Sequence, residues 1–400
     1  MTQKPITWVP TLSLEGGEPI YTAIVDAIAA DISADRLKAG QRLPTHRALA
    51  EALGVDLTTV TRAYNEAQRR GLTEAVVGRG TYVRGLPVSQ QRPSIPSALL
   101  AQIDTGMNLP PRPAEAALKE RLATATREVL QRPDLMELLS YRPNAGDLQD
   151  RAAGVSWLQS LMPDATADRV LICSGAQTAL LALLTTFARA GDLVLTEALT
   201  YPGFRALAGQ LGIKLKGLAM DSEGILPEAL DEACRSHPPA NMPKALYCIP
   251  TIQNPTTATM SLSRRNAIAE IARRHRLPIF EDDAYGKLPE AALPPLASMV
   301  PELGYYVSTF SKCLAPALRL AYLVVPGASQ AARLTAAIRA TTMMASPLSA
   351  AIVTHWIGDG TAGKITAAIR QESAARQRIA AAILKGTDCA AHPEGHHLWL

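Results

Sequence analysis

The spacing of apolar residues sets out the first elements of this chain. Ile20, Ile24, Ile28 and Ile32 fall four residues apart with Tyr21 and Val25 beside them, which predicts an amphipathic helix starting after Pro19 and ending near Asp35. Gly40 and Pro44 then punctuate the chain. Thr45 is placed to cap a short helix carrying Leu49, Ala52 and Leu53, and Gly54 to stop it. A further helix starts around Thr58 and carries Val60, Ala63, Tyr64 and Ala67. Beyond Gly71, the run Val76-Val77-Gly78-Arg79-Gly80-Thr81-Tyr82-Val83 predicts two short strands about a glycine turn that pushes Arg79 outward, the form of a wing.

The pattern then changes. Pro87, Pro93 and Pro96, interspersed with Ser89, Gln90, Gln91 and Ser94, show no periodicity and read as a linker. From Val170 onward, short apolar runs alternate with helical stretches: Val170-Leu171-Ile172, Leu193-Val194-Leu195, Leu246 to Ile249, Ile279-Phe280 and Leu320 to Val325. Such alternation predicts an α/β domain with a mostly parallel sheet, whose polar sites sit at strand ends. The expected organisation is a head over residues 1–84, a linker over 85–97 and a large body over 98–400, with no internal repeat.

Composition narrows the class of protein. With 400 residues, 48% hydrophobic and 19% charged, the chain supports two or three folded units and is not disordered overall. Met1 to Pro10 lacks the features of a secretory signal, and no apolar run is long enough to span a membrane, so a cytoplasmic location with no membrane partner is expected. Cys173, Cys234, Cys248, Cys313 and Cys389 are odd in number and form no C-x-x-C pair, so they are expected to be reduced thiols, mostly buried. A net charge of +4 implies no polyanion partner by itself. Within Arg36 to Arg84, however, nine Lys or Arg face only Glu51, Asp56, Glu66 and Glu74.

Two short helices joined at Gly54-Val55-Asp56 make a helix-turn-helix, whose second helix can enter a DNA major groove. Thr58, Thr59, Thr61 and Arg62 line that helix, and Arg47 and Arg79 are the other expected DNA contacts. The bland alternative is a small helical domain with a solvated arginine face. Order and spacing favour the first reading. Leu43-Pro44-Thr45-His46-Arg47-Ala48-Leu49-Ala50, Thr58-Thr59-Val60-Thr61-Arg62-Ala63-Tyr64 and Gly78-Arg79-Gly80-Thr81-Tyr82-Val83 resemble the GntR family of winged helix-turn-helix regulators across Pro19 to Val83. Leu57 departs from that family, which often has a polar or basic residue there.

Four strand ends in the body carry candidate chemistry. Ser174-Gly175-Ala176-Gln177 opens a helix whose free N–H groups and dipole suit a phosphate, although small residues also open helices for packing reasons. Asn254-Pro255-Thr256 follows the strand ending at Ile249. Glu281-Asp282-Asp283-Ala284-Tyr285 follows Ile279-Phe280; there an aspartate can keep a heterocyclic nitrogen protonated and a tyrosine can reach a phenolic oxygen, with a helix-capping acidic pair as an equal alternative. Ser308-Thr309-Phe310-Ser311-Lys312 follows Tyr305-Tyr306-Val307, with Arg319 seven residues beyond Lys312. A lone lysine is usually a surface charge, but one held among hydroxyls can form a Schiff base, and an arginine can grip phosphate.

The order of these four elements resembles the type I fold of pyridoxal-phosphate enzymes, the aspartate aminotransferase family, from about Ile103 to the end. The resemblance implies an α/β aminotransferase-like fold with large and small subdomains and pyridoxal 5'-phosphate as cofactor. It implies that Lys312 forms the internal aldimine, that Asp282 pairs with the pyridine nitrogen, and that Tyr285 and Asn254 bind the ring hydroxyl. By the same resemblance Ser174, Gly175, Ala176, Thr309, Ser311 and Arg319 surround the phosphate, Tyr201 stacks on the ring, and Tyr141 reaches the neighbouring subunit's phosphate. A GntR-like head on such a body is similar to the MocR subfamily, which implies a head-to-tail homodimer, a double-stranded DNA operator, and an effector that is a small amine, an amino acid or pyridoxal phosphate itself.

Three functions are compatible: a cofactor-dependent regulator, an aminotransferase with an accessory DNA-binding head, and a DNA-binding protein whose body is only a dimerisation scaffold. Intact Lys312 and Asp282 weigh against the third. The resemblance implies that the family's carboxylate-binding arginine either lies beyond Leu400 or is lacking, so slow or absent amino-acid turnover is anticipated; Arg370, Arg376 and Arg378 read more simply as a charged helical face, with substitution by one of them as the alternative. His396 and His397 are expected to point to opposite faces of a strand, and no metal is assigned. The other histidines, His46, His237, His275, His355 and His392, read as surface or packing residues.

Overall fold

The computed structural model describes residues 8–11, 19–34, 36–76, 80–84, 107–142, 145–238 and 241–400. The chain forms two compact units, residues 1–104 and 105–400. The expected linker and the wing tip with Arg79 lie outside the described residues.

In the first unit, α1 (Ile20–Ser33), α2 (His46–Leu53) and α3 (Leu57–Arg69) precede a hairpin of β1 (Thr73–Val76) and β2 (Gly80–Val83). Ile24, Val25, Ile28, Leu49, Val60, Ala63, Tyr64 and Ala67 close one core. Thr45 caps α2 by accepting from Ala48 N at 3.3 Å, and Gly54 ends it at φ 64°, a left-handed conformation that side chains resist. The hairpin starts three residues earlier than the valine run suggested. Thr73 is buried and pairs with Val83, and Arg84 N donates to Leu72 O, so the ladder continues to the end of α3. Trp8 also joins this core, its indole N–H donating to Asp31 at 2.6 Å.

The second unit opens with α4 (Leu118–Leu130), α5 (Leu135–Leu138) and α6 (Leu148–Leu158). Next come β3 (Val170–Cys173), α7 (Ala176–Phe187), β4 (Leu193–Glu197), α8 (Pro202–Gln210), β5 (Lys214–Leu218), β6 (Met220–Asp221), β7 (Gly224–Ile225) and α9 (Pro227–Arg235). These are followed by β8 (Leu246–Cys248), α10 (Leu262–His275), β9 (Ile279–Asp283), α11 (Leu296–Met299), β10 (Gly304–Thr309) and β11 (Ala321–Val324). The chain continues through α12 (Ala328–Thr342), α13 (Pro347–Gly358) and α14 (Thr361–Ile383) to the hairpin β12 (Ala390–Ala391) and β13 (Leu398–Trp399).

Seven strands form one sheet in the order β3-β11-β10-β9-β8-β4-β5, in which only β11 runs against its neighbours. Because β11 is reversed between β3 and β10, the C-terminal ends of β3, β4, β8, β9 and β10 share one edge. This is where an open α/β sheet binds ligands. The strands are buried on both faces, as the unbroken apolar runs required. Strand β9 extends through Asp283, so Asp282 lies inside the sheet rather than after it. Four cysteines are buried and Cys389 is partly so; all five are free thiols. Among the described residues no helix is long and apolar enough to cross a membrane.

Candidate cofactor site and DNA-binding face

Strand alternation separates the three acids of β9. Glu281 and Asp283 turn to one face, where Glu281 accepts from Ala297 N at 2.7 Å, Asp283 accepts from Tyr306 OH at 2.6 Å, and the fully buried Arg265 stands 3.9 Å from Glu281. Asp282 turns the other way. Its Oδ2 accepts from Tyr247 OH at 2.8 Å, whereas its Oδ1 is buried without a hydrogen-bond partner among the described residues. Burial pushes the Asp282 carboxyl up to about 6, against the pull of the Tyr247 hydrogen bond and the charge of Lys312. Phe204 stacks flat on Tyr247 at 3.6 Å between ring centroids and fixes the hydroxyl from behind.

Lys312 lies just beyond β10, half-buried, and its Nζ donates to Asn108 O at 2.5 Å. Desolvation lowers its pKa while Asp282 supports its charge. Asn108 also donates through Nδ2 to Tyr285 OH at 3.0 Å, and burial pushes that phenol up to about 12. Asn108 thus joins two expected site residues, though sequence alone did not single it out.

The opposite end of the site is a cup. Gly175, at φ 86°, packs so closely on Arg319 that a Cβ there would stand 2.7 Å from Nη2. Only glycine leaves this space open. Ala176 begins α7, Ser174 Oγ donates to Met344 O at 3.2 Å, and the hydroxyls of Thr309 and Ser311 are 3.1 Å apart. Arg319 has no ion-pair partner among the described residues.

Two loops flank the cup. Tyr201 caps α8 and accepts from Gln177 Nε2 at 3.1 Å. Asn254 sits in a loop held by Gln253, whose Nε2 donates to Leu199 O at 2.7 Å. Buried Glu197 links the same two loops by accepting from Ile249 N at 2.8 Å and Thr200 Oγ1 at 3.1 Å. Tyr141 is 83% exposed.

His396 and His397 depart from expectation. Both precede β13, and both rings pack beside Tyr285 instead of pointing to opposite faces of a strand. Arg370 is also not part of a solvated face: it turns inward, donating to Leu288 O and Lys287 O. Arg376 and Arg378 remain exposed, Arg376 pairing with Glu372 at 2.7 Å. Among the described residues no group of three or more His, Cys, Asp or Glu is arranged to hold a metal ion.

In the head, Arg47 and Thr58 are exposed and Thr59 is half-buried. The Thr61 hydroxyl donates to Leu57 O at 2.9 Å and stands 3.1 Å from His46 Nδ1. Arg62 lies over the Tyr21 ring at 4.1 Å, which ties α3 to α1. Arg69 and Arg70 are paired with Glu66 and Asp26, so they are not free cations.

A helix-turn-helix head on a type I aminotransferase-like body defines a DNA-binding regulator. The chain belongs to the aminotransferase class I and II family, whose model matches residues 102–399, and residues 20–83 match the bacterial regulatory proteins of the gntR family. An HTH-type transcriptional regulator of Bacillus subtilis, YdeF, is 28% identical over 396 residues, covering 99% of this chain and 84% of that protein. A probable rhizopine catabolism regulatory protein of Rhizobium meliloti, MocR, is 27% identical over 338 residues, covering 79% and 67%. The combination of domains is that of the MocR subfamily. Among solved structures, the α-aminoadipate aminotransferase LysN of Thermus thermophilus, complexed with N-(5'-phosphopyridoxyl)-L-leucine, is similar with a TM-score of 0.64 and 27% identity over 72% of this chain and 73% of that one.

Proposed function

We propose that this regulator binds pyridoxal 5'-phosphate at the strand-end site and uses it to sense a small amine, an amino acid or the cofactor itself, with double-stranded operator DNA as the output. The observation that carries this reading is the Oδ1 of Asp282, buried without a hydrogen-bond partner among the described residues and within reach of the charge of half-buried Lys312. An orphaned carboxylate oxygen is costly, and a protonated ring nitrogen is the donor it lacks. The glycine-opened cup beside Arg319, which has no ion-pair partner among the described residues, fits a phosphate.

In this reading Asp282 holds the ring nitrogen, and Tyr285 and Asn254 take the ring hydroxyl. Ser174, Gly175, Ala176, Thr309, Ser311 and Arg319 hold the phosphate, and Tyr201 covers the ring face. Lys312 provides the amine, which its lowered pKa makes easier to deprotonate. When bound, pyridoxal phosphate supplies an aldehyde that captures amines and a ring that withdraws electrons. Exposed Tyr141 is free to serve the partner in a head-to-tail homodimer.

The test is an absorbance titration of the purified protein with pyridoxal phosphate and then with candidate amines, run beside a DNA-binding assay. A visible band that amines shift, together with a change in DNA affinity, is expected. Sustained transamination of a common amino acid at about 1 per second or faster would instead establish the aminotransferase reading.

A further inference from the structure

The dipeptide His396-His397 touches three consecutive strand-end loops. His396 Nε2 donates to Lys312 O at 2.9 Å, in the loop after β10. His397 Nε2 donates to Gln253 O at 3.1 Å, beside Asn254 in the loop after β8. Tyr285, in the loop after β9, has its ring centroid 5.9 Å from that of His396 and 5.6 Å from that of His397. Each loop carries a residue assigned to the cofactor.

The chemistry of these contacts fixes the state of the rings. A carbonyl oxygen only accepts, so Nε2 carries the hydrogen in both. Burial and the nearby Lys312 charge lower both histidines against the pull of their main-chain hydrogen bonds, His396 to about 4. On their other side the histidines are tied to α14. Ser373 Oγ lies 2.9 Å from His396 Nδ1, and Gln377 Nε2 donates to Gly395 O at 3.0 Å and His397 O at 3.2 Å. Gly395 passes close enough to the Asn254 loop that a Cβ there would lie 3.3 Å from Ile252.

We propose that His396 and His397 are positioning residues that lock these three loops together and couple occupancy of the cofactor pocket to α14 and the hairpin β12–β13. This rests on the cofactor reading above and adds how that site is read out. Filling the pocket fixes Lys312, Tyr285 and Asn254, and the two histidines pass that order to residues 388–400. A rigid histidine contact transmits main-chain displacement where a loose apolar contact would absorb it.

The test is hydrogen exchange on the full chain, first free of cofactor and then at saturating pyridoxal phosphate, with occupancy read from the visible band for each protein. Free of cofactor, His396→Leu should speed exchange about fivefold both in residues 388–400 and in 306–316, the effect of losing one buried hydrogen bond. His396→Gln, whose Nε2 replaces the ring donor, should restore both segments. Adding cofactor should slow exchange in 388–400 of the wild type but much less in the leucine variant. Faster exchange confined to 388–400, or a cofactor response equal to the wild type's, overturns the coupling. If His396→Leu does not fold, His397→Leu decides, since it should loosen residues 250–256 together with 388–400 and leave 306–316, still held by His396, unchanged; any other pattern rejects the proposal. A wild type that shows no band refutes the cofactor reading, whereas the cofactor-free comparison still judges the histidine pair.

Discussion

Arg62 of the head and Lys312 of the body are both cations for which the sequence suggests a ligand, yet their surroundings differ. Arg62 is exposed and already stacked on Tyr21, and Thr61 beside it has satisfied its hydroxyl within the helix. Lys312 is desolvated, near a carboxylate whose buried oxygen has no hydrogen-bond partner among the described residues, just beyond a strand buried on both faces. A DNA surface reads a polyanion through exposed charge and tolerates local satisfaction of its side chains. A small-molecule site instead keeps buried polar atoms unsatisfied until its ligand arrives. Glu281 Oε1 and Asp283 Oδ1 are also without hydrogen-bond partners among the described residues but lie near Arg265, so it is the pairing of an unsatisfied oxygen with the Lys312 charge that points to a ligand at Asp282.

The largest expected effect tests the body. Lys312→Ala should abolish the visible, borohydride-reducible band that the wild type forms with pyridoxal phosphate, because no other lysine has been placed at this site. A reducible band that survives the substitution would mean that another amine is used, and the contrast with Arg62 would lose its basis.

Glu197 extends the comparison to stability. It is fully buried, accepts from Ile249 N and Thr200, and burial raises it to about 7. A folded pKa above the unfolded value means that its stabilisation is complete below about pH 4.5 and is lost as pH rises through about 7. Glu197→Gln should remove that slope and stabilise the cofactor-free body above pH 7 by up to about 3 kcal/mol, less the acceptor it loses. Denaturant unfolding at pH 5 and pH 8 measures it; equal changes at both pH values would show that the carboxyl is not ionising across this range.

Much of this body was legible because its candidate chemistry sits in short contiguous runs at strand ends, and strand ends follow from apolar periodicity. Ser174-Gly175-Ala176, Asp282 with Tyr285, and Thr309 to Lys312 all fall on the shared edge of the sheet. Asn108 and Gln253 were not singled out, and the histidine pair was read only as opposite-facing strand residues, because their contacts are long-range: Asn108 and Lys312 are 204 residues apart. Arg370 reads as surface by helical spacing, but the Leu288 carbonyl it binds belongs to a distant loop. In the head, caps at Thr45 and Gly54 are local signals and were readable, whereas the stacking of Arg62 on Tyr21 depends on how α1 meets α3.

That stacking sharpens the role of the two head arginines. Arg47 is exposed with no ion-pair partner among the described residues, so Arg47→Ala should reduce the log–log salt slope of operator binding by about 0.9, the share of one phosphate contact. Arg62→Ala should also destabilise the head by about 0.5 to 1 kcal/mol through loss of the contact with Tyr21. Polarisation titrations at several salt concentrations, with thermal unfolding of each variant, separate the two effects. If Arg62→Ala weakens binding with no change in stability, the arginine leaves Tyr21 for DNA in the complex.

The smallest expected effect concerns Thr45, which is not among the residues proposed to hold the cofactor or to read bases. Helix α2 has only eight residues, so it cannot persist on propensity alone, and the hydrogen bond from Ala48 N to Thr45 Oγ1 satisfies one of its few free N–H groups. Thr45→Ala should cost about 1 kcal/mol, and Thr45→Ser, which keeps the acceptor, should recover most of it. Because α2 packs on α3 through the shared core around Leu49, Val60 and Tyr64, the loss should appear as weaker DNA binding through a less stable head. The cofactor absorbance should not change. Unfolding of the head followed by Trp8, the one tryptophan outside the body, against absorbance of the body, makes the measurement. A shift in the body's transition of the same size as the head's would show that the two units unfold together, and would remove the ground for treating the exposed and the buried surfaces as independent.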